Sequence, residues 1–114
     1  MQRDYTRDEK IQGEDIKRGM FLASMSNKES LGFIYQSLGV LASQRDDFKE
    51  SGRMYAKALR LNGKLAAAYY NRGNDELKQK RYRQAIRDYD KALNLYPGDP
   101  WAMRNRTLAN KSTN

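Results

Sequence analysis

The chain has 114 residues, a length that suits one small domain, and its 39% hydrophobic and 32% charged residues favour a helical domain with a thin core. It contains no cysteine and no histidine, which excludes a disulfide framework and removes the commonest general base and metal ligand. The 22 Lys and Arg residues outnumber the 14 Asp and Glu residues, a net charge of +8, so nucleic acid, an anionic membrane surface and acidic peptides are candidate partners.

The first 31 residues are predicted to form a helical extension or cap. Ile16, Met20 and Ala23 recur at helical spacing, and this apolar stripe predicts a helix over residues 7–25. A docking or dimerising arm and a frayed tail are the alternatives to a cap. Residues 26–30 are expected to form the turn into the next helix. The segment has no long apolar run, so we expect neither a secretory signal nor membrane insertion.

Two blocks of 34 residues, 32–65 and 66–99, follow and align with each other without a gap. The aligned positions include Tyr35 with Tyr69, Gly39 with Gly73, Phe48 with Tyr82, Tyr55 with Tyr89, and Lys-Ala-Leu at 57–59 and 91–93. A period of this length is typical of repeats built from helix pairs. The sequence therefore predicts an all-α protein.

Each block is predicted to hold two helices. The first covers residues 32–44 in one block and 66–79 in the other. Its interior glycine predicts a close approach of the partner helix, because a helical glycine otherwise costs about 1 kcal/mol relative to alanine. The second helix is expected to begin near Asp47 or Tyr82, and Asp47 with Glu50 makes a capping-box pattern.

Glycine and proline mark the ends of the blocks. Gly63, after an asparagine, predicts a left-handed cap at the end of the first block, and Pro97 with the next glycine ends the second. Asp99 followed by Pro100 predicts the start of a last helix that runs to about residue 110.

These features resemble the tetratricopeptide repeat family. The resemblance rests on the 34-residue period, on Tyr-x-x-Leu-Gly at 35–39, on Ala-x-x-x-Tyr-x-x-Ala at 85–92 and on the proline that closes the second block. It implies an α-α superhelix of antiparallel helix pairs. The implied parts are two repeats at 32–65 and 66–99, then a capping helix with a short tail at 100–114.

The chain departs from the family pattern at a few positions. Ser51 stands where alanine is usual, and Gly63 stands where a proline closes the repeat. Arg72 and Glu76 stand where leucine and a large aromatic residue are usual. They are four residues apart, so we expect them to pair along one face of their helix.

The resemblance also implies a binding groove. In this family the first helix of each repeat lines a groove that holds an extended peptide or a partner helix. By position, the groove residues expected in this chain are Gln36, Ser37, Val40, Gln44, Tyr70, Asn71, Asn74, Lys78, Trp101, Arg104, Asn105 and Leu108. The asparagine amides offer both donors and acceptors to a peptide backbone. Tyr70 and Trp101 offer apolar contacts, while Lys78 and Arg104 would attract acidic groups or a C-terminal carboxylate.

The carboxylate clamp of co-chaperones, which grips acidic C-terminal tails, is matched only in part. Asn71 alone fits in one register of the repeats, and Asn74 with Asn105 fits in the next. A full clamp is therefore not expected.

The implied function is a non-enzymatic protein–protein interaction module: an adaptor, assembly factor or co-chaperone, cytoplasmic and without a cofactor. Its partner would be a protein or peptide segment, with acidic segments favoured. A basic nucleic-acid-binding repeat protein is the alternative. It is disfavoured because the excess positive charge is not concentrated in one segment. Residues 1–31 hold six cations and six anions, and residues 100–114 hold three cations and no anion. The terminal helices could also pair two copies into a homodimer.

Overall fold

The computed structural model describes residues 27–113, and every regular element in this range is an α-helix. The described part of α1 covers residues 27–44; the helices that follow are α2 (Phe48–Leu61), α3 (Ala66–Lys78), α4 (Tyr82–Leu95) and α5 (Pro100–Ser112). Loops of three or four residues join them, so consecutive helices are antiparallel neighbours. α2 packs on α3, α3 on α4 and α4 on α5, and α3 also touches α5. The predicted all-α solenoid of helix pairs is confirmed.

The structure corrects the start of the first helix pair. Residues 27–30 belong to α1, so the predicted turn at 26–30 is wrong over all of its described residues. Lys28 and Glu29 are good helix formers, and no glycine or proline interrupts them. The helix predicted over residues 7–25 lies outside the described residues, and its role as a cap stays a prediction. None of the helices from residue 27 onwards is long and apolar enough to span a membrane.

Two aspartates cap helix starts, as the sequence predicted. Asp47 accepts a hydrogen bond from the backbone N–H of Glu50 at 3.3 Å. Asp99 accepts one from the backbone N–H of Trp101 at 3.0 Å. Each carboxylate satisfies one of the backbone donors that the first turn of a helix leaves without a partner.

Left-handed backbone occurs at positions other than the predicted one. The predicted left-handed cap at Gly63 is wrong. The residue that caps α2 is Asn62, which is extended with φ of −148°, and Gly98 is the described glycine with a positive φ. Asp46 and Lys80 take φ of 57° and 64° instead, and they are 34 positions apart in the sequence. The α1–α2 loop at Asp46 and the α3–α4 loop at Lys80 thus share a left-handed backbone conformation. The side chains at these two matching positions carry opposite charges.

A glycine lies against a tyrosine ring in each helix pair, as the interior glycines predicted. A Cβ on Gly39 would lie 2.5 Å from Tyr55 Cε1, and one on Gly73 would lie 2.8 Å from Tyr89 Cε1. Both tyrosines are fully buried. Most other buried apolar side chains are alanines: Ala42, Ala58, Ala68, Ala85, Ala92, Ala102 and Ala109. Small side chains let the helix backbones approach, so the thin core is filled by two tyrosine rings.

The α3–α4 interface contains an ion pair for which the sequence spacing predicted the wrong partner. Arg72 donates two hydrogen bonds of 2.8 Å to Asp88 of α4, rather than pairing with Glu76 on its own helix. Burial and a hydrogen bond to Asp88 raise the pKa of Glu76 to about 8. The raised pKa means that the Glu76 carboxyl keeps its proton to higher pH than an ordinary glutamate, which weakens the attraction that the predicted pair required.

Candidate functional site

An open cavity of about 340 Å³ lies where α1, α3 and α5 face one another. Four side-chain amides line it, from Gln44, Asn71, Asn74 and Asn105, and we call it the amide cavity. Its size is at the lower end of the range for ligand-binding clefts, about 300–1,000 Å³. Because α1 and α3 are the first helices of their pairs and α5 follows in the same register, the cavity lies on the surface where the sequence predicted a groove.

Several of the predicted groove residues meet at the amide cavity. They are Val40, Gln44, Asn71, Asn74, Lys78 and Asn105. Asn71 and Asn105 are 34 positions apart, and the repeat brings them to the same cavity, as their spacing predicted. Whether these residues contact a partner stays a prediction.

The other predicted groove residues do not line the amide cavity. They are Gln36, Ser37, Tyr70, Trp101, Arg104 and Leu108. Tyr70 is half-buried beside the cavity, with its ring centre 6.0 Å from that of Tyr89. Arg104 lies over the exposed Trp101 ring, 5.7 Å from its centre. Arg104 and Trp101 therefore form a cation–π contact with each other.

Two of the four amides are held by hydrogen bonds that join three helices. The Asn105 Nδ2 group donates to Asn74 Oδ1 at 3.0 Å and to the Tyr70 hydroxyl at 3.3 Å. The Tyr89 hydroxyl donates to the same Asn74 oxygen at 2.6 Å, and burial raises the pKa of Tyr89, so this donor keeps its proton. Asn74 Nδ2 and Asn105 Oδ1 have no bond to another described residue, which leaves one amide NH2 group and one amide oxygen for a ligand.

The Asn71 side chain forms no hydrogen bond with any residue between 27 and 113, although it is half-buried and lines the cavity. A primary amide can donate to a carbonyl and accept from an N–H at once. Asn71 can therefore bind both polar groups of an extended peptide backbone without reading its side chains.

Sequence reasoning missed Asp75, the carboxylate in the cavity wall. Ser43 and Ser51 each donate a hydroxyl hydrogen to Asp75 Oδ2, both at 2.6 Å. Since the single hydroxyl hydrogen of Ser43 is used in this way, the Tyr55 hydroxyl is the donor in its 3.0 Å bond to Ser43. Burial raises the pKa of Tyr55 to about 12. Ser51 in place of the usual alanine was the available signal, because a buried hydroxyl needs an acceptor.

The equivalent interface one repeat later is apolar. The residues 34 positions beyond Ser51 and Asp75 are Ala85 and Ala109, which pack with Tyr89 in a buried cluster. The buried carboxylate is therefore specific to the junction of α1, α2 and α3 and is not required by the repeat itself.

A second cavity, of about 510 Å³, lies where the start of α4 meets the end of α5. It is lined by Lys80, Arg81, Tyr82, Arg83, Gln84, Ser112 and Thr113, and we call residues 80–84 the basic edge. In the matching loop of the first pair, Asp46 and Asp47 take the places of Lys80 and Arg81. The positive charge of this edge comes from one short run of the sequence, and the fold places the end of α5, with Ser112 and Thr113, beside it.

Comparison with known proteins places this geometry among helical repeats. Residues 66–99 match the family model of the tetratricopeptide repeat. The TPR domain of Arabidopsis OM64 has a TM-score of 0.72 at 24% identity, covering 75% of this chain and 71% of that chain. The MamA protein has a TM-score of 0.70 at 26% identity, covering 72% of this chain and 45% of that chain. The N-terminal domain of stress-induced protein-1 (STI-1) from C. elegans has a TM-score of 0.70 at 18% identity, covering 75% and 73%. No curated protein sequence matches the chain.

Proposed function

We propose that this chain, whose residues 66–99 match the tetratricopeptide repeat model, binds an extended segment of a partner protein in the amide cavity. The observation that carries the proposal is the set of unused amide groups on Asn71, Asn74 and Asn105, which face one cavity from two helices. Tetratricopeptide folds serve in general as protein–protein interaction modules. Among the described residues, the amide cavity offers hydrogen-bonding groups suited to that role.

The arrangement of the amides supports a backbone-directed mode of binding. The network through Tyr89 and Asn105 holds Asn74 in one orientation, so binding costs little additional side-chain entropy. Asn71 supplies a second, unoccupied amide about one helical turn away on α3. Together these groups match the alternating N–H and C=O groups of an extended chain.

Selection of peptides provides the direct test. A displayed library of random linear peptides would be selected on the protein, and the affinity of a selected peptide measured by fluorescence anisotropy. Asn71→Ala should weaken binding roughly 2- to 10-fold, the effect of losing hydrogen bonds worth about 0.5–1.5 kcal/mol. Asn94→Ala, an exposed asparagine on α4, is the matched control and should leave the affinity unchanged. Equal affinity of both variants for every selected peptide would contradict the proposal.

We further propose a non-enzymatic adaptor, assembly or co-chaperone role in the cytoplasm. Within the described range, no group of His, Cys, Asp and Glu side chains could hold a metal ion. The scaffold role is supported by the lining of the amide cavity, in which Asp75 and Lys78 are the charged residues among those described, an arrangement that suits recognition.

Nucleic-acid binding at the basic edge is the second candidate function. It is favoured by the cavity that gathers Lys80, Arg81 and Arg83 on one surface, since phosphate contacts by such groups dominate nucleic-acid affinity. The double variant Lys80→Asp with Arg81→Asp copies the acidic loop of the first helix pair. It should abolish a salt-sensitive shift of single-stranded oligouridine RNA.

A control variant with the same change in net charge distinguishes binding at the basic edge from a general effect of the net charge of the chain. Arg60→Asp with Lys64→Asp makes the same change in charge near the opposite ends of the helices. Loss of binding to the same degree in both double variants would contradict a specific edge.

A further inference from the structure

Asp75 is a buried anion in the wall of the amide cavity. Asp75 is only 5% exposed to solvent. Both serine hydroxyls bind the same oxygen, Oδ2, and no described residue donates to Oδ1 or forms an ion pair with the carboxylate. Buried carboxylates are usually paired with a cation, because hydrogen bonds from neutral groups do not balance the charge.

The two cations nearest in sequence are directed elsewhere. Arg72, one turn before Asp75 on α3, pairs with Asp88 of α4. Lys78 lies one turn after Asp75 on α3, but its Nζ atom approaches Asp46 Oδ1 at 4.0 Å and the side chain is 60% exposed. Lys78 therefore remains at the rim of the cavity. The negative charge in the cavity wall is left for a group that enters from outside.

The rest of the cavity suits a long cationic side chain. Val40 and Leu77 supply apolar wall against which a methylene stem can pack. Asn105 Oδ1 and the amide oxygen of Asn71 are acceptors without a partner in the described chain. An acidic side chain in the same place would meet Asp75 at close range, and like charges across an interface are destabilising.

We propose that the amide cavity binds a Lys or Arg side chain of the partner segment, whose ammonium or guanidinium group donates to Asp75. This inference rests on the proposed function of the cavity. It replaces the acidic partner expected from Lys78 and Arg104, since Arg104 is not in the cavity wall and Lys78 lies beside Asp46.

The test uses the full chain and the selected peptides. Replacing the basic residue of a selected peptide by norleucine should weaken its binding to the wild-type protein at least about 10-fold, as expected for a charge-assisted hydrogen bond. Asp75→Asn should remove most of that difference, because an asparagine can accept both serine bonds through its oxygen but carries no charge. Asp46→Asn removes a charge beside the rim and should change the affinity less than about 2-fold.

The outcomes separate this inference from the proposed function. Peptides that depend on Asn71 but bind equally well with norleucine, or that carry acidic residues instead, would overturn the Asp75 pairing and leave the proposed function intact. Peptides insensitive to Asn71→Ala would overturn the proposed function as well. The norleucine comparison is made on the wild-type protein, so it decides the question even when Asp75→Asn fails to fold.

Discussion

Alanine in place of Gly39 tests the packing that holds the repeat together. In an exposed helix interior, a change from glycine to alanine stabilises by about 0.5–1 kcal/mol. Gly52 in α2 offers that situation in the same chain, because a Cβ there would meet no described atom within 4 Å beyond its chain neighbours and its own helix backbone. A Cβ on Gly39 would instead lie 2.5 Å, 2.7 Å and 3.0 Å from three ring atoms of Tyr55.

The Tyr55 ring cannot easily move aside, since it is fully buried and its hydroxyl is bound to Ser43. Overpacking of this kind costs about 1–3 kcal/mol. Because the gain in helix propensity is common to both variants, Gly39→Ala should be less stable than Gly52→Ala by about 1–3 kcal/mol, or roughly 4–8 °C in melting temperature for each kcal/mol.

Urea and thermal unfolding followed by far-ultraviolet circular dichroism measure this difference. A Tyr55→Leu background supplies the second half of a double-mutant cycle, in which Gly39→Ala should lose most of its cost. If Gly39→Ala is as stable as Gly52→Ala, the glycine does not serve the close approach of α1 and α2, and the packing argument fails.

Three more outcomes are expected. Because the folded pKa of Glu76 is about 8, above its ordinary value of 4.5, its contribution to stability is complete below pH 4.5 and is lost as the pH rises through 8. Glu76→Gln should therefore flatten the decline in urea midpoint between pH 4.5 and pH 8, and an unchanged decline would refute the raised pKa. Ser51→Ala leaves Asp75 with one hydroxyl donor and should destabilise by about 1–3 kcal/mol, measured by urea unfolding; a neutral effect would show that the second bond is unimportant. If exposed apolar residues such as Phe33 on α1 and Met103 on α5 pair two copies, light scattering at high concentration should give twice the chain mass, whereas a constant single-chain mass would exclude the homodimer.

The repeat and its helix contacts were predictable because they follow from spacing. Gly39 and Gly73 occupy the same place in two aligned blocks, and each meets a tyrosine that is also in register. The Asp47 and Asp99 caps were predictable because a helix N-terminus needs a local acceptor. The turn at residues 26–30 was predicted wrongly because polar residues alone do not end a helix.

The site was less predictable, because side-chain partners depend on tertiary contacts. Arg72 could reach Glu76 on its own helix or Asp88 on the next, and the sequence gives no distance across an interface. Asn74 and Asn105 were predicted to face a ligand, but they also bind each other. Asp75 was overlooked because its partners, 24 and 32 residues away, lie on other helices.

A map of amide chemical-shift changes on titration with a selected peptide tests the proposed binding mode most directly. The largest changes should fall on α1, α3 and α5 around Asn71, Asn74 and Asn105, and should be reduced in Asn71→Ala. Changes concentrated on α2 and α4, or at the basic edge, with none at these asparagines would show that the amide cavity is not the binding site.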